Sequence, residues 1–208
     1  MSFNTNRLKI ILKRIRWLLG ATRIPKHGPN CRIHPFARFE GNINNITIGS
    51  GVVIDAFANI FCHSNGQIVI GDNAYIGDHA ILHTGRKGGV IRLGNNSGVQ
   101  SFSIVYGHGG CVIGNDVRIA AHCVIVPANH KFSDLETPFR KQGLDCKGIL
   151  IEDDVWLGAG VQVLDGVTIG RKSIIGAGTV VTRSISEGSV AVGVAAKTLY
   201  SRFADKNT

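Results

Sequence analysis

His130 stands at the root of a long excursion, about residues 128–148, that begins Ala-Asn-His-Lys-Phe-Ser-Asp-Leu-Glu-Thr-Pro-Phe-Arg-Lys-Gln-Gly. A histidine fixed at the base of such a loop can act as a general base, because its ordinary pKa is near neutral and it can take a hydroxyl proton. A reaction of that kind also needs donors for a developing oxyanion. No serine or cysteine is arranged beside His130 as a nucleophile, so a covalent intermediate on the protein is not expected. The eight histidines are separated by 7, 29, 16, 4, 25, 14 and 8 residues. The nearest pair, His79 and His83, falls on different segments of the repeat described below and need not converge. No metal is expected. The cysteines (31, 62, 111, 123 and 146) are odd in number and form no CxxC pair. They read as mostly buried thiols in a reduced, cytoplasmic setting.

The elements that must position His130 follow from a six-residue period. Aliphatic residues recur at Ile48, Ile54 and Ile60. The count resumes at Ile70, at Leu93 and at Ile113 after insertions of four, five and two residues. After the excursion it runs unbroken from Ile151 to Val181. All eighteen positions are Ile, Leu or Val, and the residue four further on is Val, Ala, Ser, Thr or Cys in fourteen of them. The exceptions, Arg86, Gly109, Asn129 and Ile185, all lie in the third hexad of a triplet. This period suits neither an amphipathic helix nor an ordinary alternating strand. It suits short straight segments joined by tight corners, three to a triangular coil, with every insertion at the same corner. Glycine, at 27 of 208 residues, supplies many such turns. Stacked coils bury aliphatic columns along the axis. Six complete coils are expected, with Ile33 and Phe39 as part of a seventh. His79, His122, Phe57 and Phe102 share one hexad position, which predicts a stacked surface column.

The net charge of +9 is uneven. Residues 1–27 carry Arg7, Lys9, Lys13, Arg14, Arg16, Arg23 and Lys26 with no acid, leaving 16 basic against 14 acidic residues in 28–208. The basic character therefore belongs to an arm and not to a nucleic-acid groove across the body. Apolar residues from Leu8 to Leu19 recur at helical spacing with basic residues between them. Two readings stay open for residues 7–19: packing on the body or a neighbouring subunit, or an interfacial helix on an anionic membrane surface. The chain divides into the arm (1–27), the coil domain (28–200) and a tail (201–208).

These hexads resemble the hexapeptide-repeat family, over about residues 30–200, and the resemblance implies an all-β, left-handed parallel β-helix. Most members are acyltransferases that use acetyl-CoA and work as trimers with sites between subunits. Within the sugar O-acetyltransferase branch, similar to galactoside and maltose acetyltransferases, the catalytic histidine lies seventeen residues after a coil start like Ile113-Gly-Asn-Asp. That position is His130. The 148–160 segment, Trp156 included, looks like the same branch's return from the loop. The Asn-His-Lys-Phe stretch is more like acetyltransferases of surface-polysaccharide clusters.

The branch often places an asparagine on the preceding coil to bind substrate, and Gln100 stands there instead. For the coenzyme the resemblance implies backbone contacts at Ala159 and Ala177, with Thr182, Arg183 and Lys197 near the nucleotide phosphates. The family's closing Gly-x-Pro-Ala-Lys reads Gly193-Val-Ala-Ala-Lys197, without the proline. The implied activity is acetyl transfer to the hydroxyl of a sugar or of a lipid- or nucleotide-linked sugar, by a homotrimer at or near the cytoplasmic membrane face. Another small acceptor (an amino sugar, serine or an antibiotic) and a non-catalytic scaffold are the alternatives; Gln100 and Ala195 are the departures that allow the scaffold.

Overall fold

The computed structural model describes residues 23–86 and 88–203. The helix expected over 7–19 and most of the expected tail lie outside them. The described chain is a parallel β-solenoid with three faces, as the hexads predict, and matches the left-handed β-helix that the family resemblance implies. The first face stacks seven strands, from Lys26–His27 through Ile46–Ile48, Gln67–Ile70, Val90–Leu93, Cys111–Ile113 and Ile149–Ile151 to Thr168–Ile169. The second face runs from Arg32–Ile33 to Ser189–Val192, and the third from Arg38–Gly41 to Val180–Val181. The coil containing Ile33 and Phe39 is therefore complete, giving seven coils where the aliphatic count indicates six and a part. Lys26 and His27 are both exposed, so the first strand of that coil leaves no aliphatic signature.

The period places the core. None of the eighteen aliphatic residues is more than 3% exposed, and the first- and second-hexad small positions, such as Val52, Ala58, Ser97, Ser103, Val117 and Cys123, are buried beside them. Each fully buried aliphatic side chain contributes about 1.5–3 kcal/mol of transfer free energy. Where a small polar residue points inward, it is satisfied by the next coil: the Ser97 hydroxyl donates to the Gly114 carbonyl (2.7 Å) and accepts from the Val117 amide (2.9 Å). Burial pushes the Cys111 thiol up to about 12 and raises Cys62 and Cys123 as well, so these three thiols stay protonated.

The corners differ in chemistry. Between the first and second faces, the left-handed backbone position is taken by Asn30, Gly51, Asn73, Asn96, Asp116, Asp154 and Lys172, mostly residue types that tolerate it. Between the second and third faces it is taken by Phe57, His79, Phe102 and His122, and only then by Gly160 and Gly178. Their rings form the expected column: Phe36–Phe57, Phe57–His79, His79–Phe102 and Phe102–His122 are 4.9–5.4 Å apart between centroids. All insertions leave from the remaining corner, between the third and first faces. The last strand, Lys197–Ser201, turns back antiparallel along Ser189–Val192 and covers that edge. No helix among the described residues is long and apolar enough to cross a membrane.

Candidate active site

His130 leaves the third face directly after Val124–Val126. Asn129–His130 pairs antiparallel with Leu144–Asp145, and the Lys131 amide donates to the Gly143 carbonyl (3.1 Å). This two-stranded stem fixes where the long loop begins and ends. Gln142 closes the loop on itself: its side-chain amide donates to the Asp134 and Thr137 carbonyls (2.7 and 2.5 Å) and accepts from the Asp134 amide (3.2 Å). Asp134 in turn accepts from the Glu136 and Thr137 amides. Hydrogen bonds from Thr137 and Glu136 hold its carboxyl below the usual range. Phe132, Leu135 and Phe139 are left 67–93% exposed on the outside of the loop.

His130 is exposed, and its stem forms one wall of a groove of about 640 Å³, a size suited to a small ligand. The opposite wall comes from earlier insertions at the same corner: His83, Arg86, Tyr106 and His108, with Arg140 and Cys146 contributed by the loop side. His83 stacks on Phe61 (4.4 Å) and meets Tyr106 edge-on (5.8 Å), and Tyr106 packs on His108 (5.3 Å). The His83 Nδ1 accepts from the Gly85 amide (2.9 Å), which leaves its Nε2 as the protonated nitrogen of the neutral ring. Burial lowers the pKa of His83, and Arg86 adds to the effect. Burial lowers His108 too, with a contribution from His83. The His108 Nδ1 is buried without a hydrogen-bond partner.

The other residues indicated by the sequence lie elsewhere on the triangle. Gln100 is exposed at the corner between the second and third faces, and Trp156 is 53% exposed on the second face beside Arg118. Neither lines the groove with His130. Ala159 and Ala177 occupy successive turns of Gln100's corner, joined by a bond from the Gly178 amide to the Ala159 carbonyl (2.8 Å). Here the aromatic column ends: a Cβ built on Gly178 would meet nothing within 4 Å. This leaves a bare backbone shelf that an extended chain could lie against. Thr182 and Arg183 are exposed at the far end of the strand Val180–Val181, about five residues along the same rung from Ala177. Lys197 begins the covering strand, opposite Val192. Just before it the Ala196 amide donates to the Val180 carbonyl (2.8 Å), and the covering strand's register shifts between Val190 and Ala191.

The groove's second wall is absent from the reading of the sequence. Its signal was present: His83 and Tyr106 each directly follow the aliphatic residue of a third hexad, and His108 and Arg86 lie in the insertions that follow.

Several known proteins are similar to this chain in sequence or fold. A family described as bacterial transferase hexapeptide (six repeats) matches residues 148–183. WbbJ of Escherichia coli (strain K12), whose name assigns it provisionally to lipopolysaccharide biosynthesis as an O-acetyl transferase, is 32% identical over 181 residues, 81% of this chain and 78% of that protein. A galactoside O-acetyltransferase of Lactococcus lactis subsp. lactis (strain IL1403) is 45% identical over 82 residues, 39% of this chain and 38% of that one. The crystal structure of the hexapeptide-repeat acetyltransferase VCA0836 of Vibrio cholerae, complexed with acetyl coenzyme A, matches with a TM-score of 0.57 at 28% identity, covering 64% of this chain and 69% of that one. The chain spans only 38–55% of the length of the first curated relatives it matches.

Proposed function

The chain belongs to the hexapeptide-repeat transferase family, and on that premise we propose that it transfers acetyl from acetyl-CoA to a sugar hydroxyl in the building of a surface polysaccharide. The observation that carries the reading is His130 on its hydrogen-bonded stem, facing a groove of ligand size. In the proposed step His130 takes the acceptor's hydroxyl proton as the oxygen forms its bond to the acetyl carbon. The C–S bond then breaks, and the imidazolium returns the proton to the departing coenzyme thiolate. Backbone amides at the coil edge would hold the oxyanion.

Ala159, Ala177, Thr182, Arg183 and Lys197 are proposed for the coenzyme, Gln100 and Trp156 for the acceptor. The shelf at Gly178 supports the coenzyme assignment, since an extended pantetheine arm needs bare backbone. In one chain, however, Gln100, Ala159 and Ala177 stand at a different corner from His130. The site would be completed only if the loop corner of one copy meets the aromatic corner of the next. Such a heterologous contact closes into a ring when its rotation closes, and the family resemblance implies a ring of three. Exposed Phe132, Leu135 and Phe139 on the loop and exposed Phe36, Phe57 and Phe102 on the column supply apolar surface to both sides. On this reading the reaction takes place in the cytoplasm, at or near the membrane face where lipid-linked acceptors lie.

Thiol release from acetyl-CoA by the full chain and by His130→Ala, over a panel of free, nucleotide-linked and lipid-linked sugars, tests this. Release with one acceptor class, reduced about 10²–10⁴-fold in the variant, is expected. Equal release by both proteins removes His130 from the mechanism. No release with any acceptor, and no binding of acetyl-CoA, favours the scaffold, in keeping with Gln100 and Ala195.

A further inference from the structure

Arg86 and Arg140 come to the groove from separate segments. Arg86 lies on the insertion between His83 and Val90, and Arg140 on the short helix Phe139–Gln142 inside the long loop. Both line the cavity that His130 faces. Among the described residues no ion pair or side-chain hydrogen bond engages either guanidinium. No carboxylate lines the groove. Of the loop's acids, Asp145 pairs with Lys131 at 3.5 Å, Asp134 is bound to its own loop amides, and Glu136 is exposed outside the groove lining. His83 and His108, with pKa values lowered by burial, are neutral at neutral pH and add polar groups without adding charge.

Two uncommitted guanidiniums beside the proposed general base, in a groove that no carboxylate lines, suit a ligand that brings its own negative charge; Glu40 acts on His83 from outside that lining. We propose that this groove selects acceptors carrying a phosphate or carboxylate group, with Arg86 and Arg140 as the residues that read it. The proposal rests on the acetyl-transfer reading and narrows its acceptor class: the sugar's anionic substituent sits between the arginines while the free hydroxyl is presented to His130. A neutral sugar would fill the same volume but leave both cations unpaired.

Equilibrium binding to the full chain separates this from the reaction itself. Calorimetry would compare glucose with glucose 1-phosphate, glucuronate and inorganic pyrophosphate, at low and at physiological ionic strength. The anionic probes are expected to bind at least tenfold tighter than glucose, with the advantage reduced by salt. Whether glucose 1-phosphate or glucuronate gains more identifies phosphate or carboxylate. Arg86→Gln and Arg140→Gln should each reduce the advantage about tenfold, while Arg140→Lys keeps most of it. Unchanged unfolding temperatures would exclude a folding defect in these variants.

Glucose binding as tightly as its charged counterparts overturns the proposal. So does an advantage that survives both Gln variants, or no binding by any anionic probe at millimolar concentration. Charge-selective binding without thiol release from acetyl-CoA would sink the acetyl-transfer reading instead. Thiol release confined to neutral sugars would keep the reaction and sink the charge selection.

Discussion

Gly85 lies directly against the ring of His108: a Cβ at Gly85 would stand 2.5 Å from the imidazole Cδ2 and 2.8 Å from Cγ and Nε2. Gly85 also has φ of +86°, a region that residues with a side chain rarely adopt. The glycine thus does two jobs. It turns the insertion, and it leaves room for the His108 ring to sit in the groove wall, tilted 49° to Tyr106.

Gly85→Ala should therefore cost about 1–3 kcal/mol in backbone strain and push His108 out of the wall. The expected result is a lower unfolding midpoint by differential scanning calorimetry and weaker binding of anionic probes. A variant with wild-type midpoint and wild-type binding would mean that the insertion can reorganise freely around its new side chain.

His83 and His108 make stability depend on pH in a defined direction. Both have pKa values below the ordinary 6.5 in the folded chain, chiefly through burial. The unfolded chain therefore binds more protons than the native one as pH falls below about 6.5. Their contribution is complete above that pH and is lost as pH falls through the folded values. The unfolding midpoint should decline between pH 7 and 5, and His83→Phe with His108→Phe, which keep the ring stacking, should flatten the decline. An unchanged slope in the double variant would place the pH sensitivity in other groups.

How far these features were legible depends on whether they repeat. The buried columns repeat every six residues, and all eighteen aliphatic positions are core. The aromatic column was legible for the same reason, because Phe57, His79, Phe102 and His122 share one register. The groove does not repeat. It draws on three insertions of different length, and the period says which corner each leaves from but not where it goes. His83, His108 and His130 are brought to one place by the stacking of coils about 4.8 Å apart, while their sequence gaps carry no pattern. The closing of the loop by Gln142 onto Asp134 and Thr137 depends in the same way on a path that no period describes. The first coil was only half visible because the exposed His27 stands where other coils place an aliphatic residue.

The aromatic column gives the sharpest test of assembly, because its backbone and its surface make opposite demands. Phe57 and Phe102 hold φ of 58° and 61°, a conformation that a bulky residue adopts at a cost and asparagine adopts readily. Within a single chain, Phe57→Asn with Phe102→Asn should relieve that strain, offsetting the loss of the ring contacts to Phe36, His79 and His122, so the solenoid should unfold no more easily. If the column is the surface that meets the next copy's loop, the same change removes two anchors of the kind that dominate interfaces. Assembly should then weaken at least tenfold, and thiol release should fall with it at low protein concentration and recover as concentration rises. Sedimentation equilibrium read beside circular dichroism distinguishes the cases. A folded chain that dissociates places the column at the contact, whereas one that assembles with wild-type affinity leaves the column on the outside of the assembly.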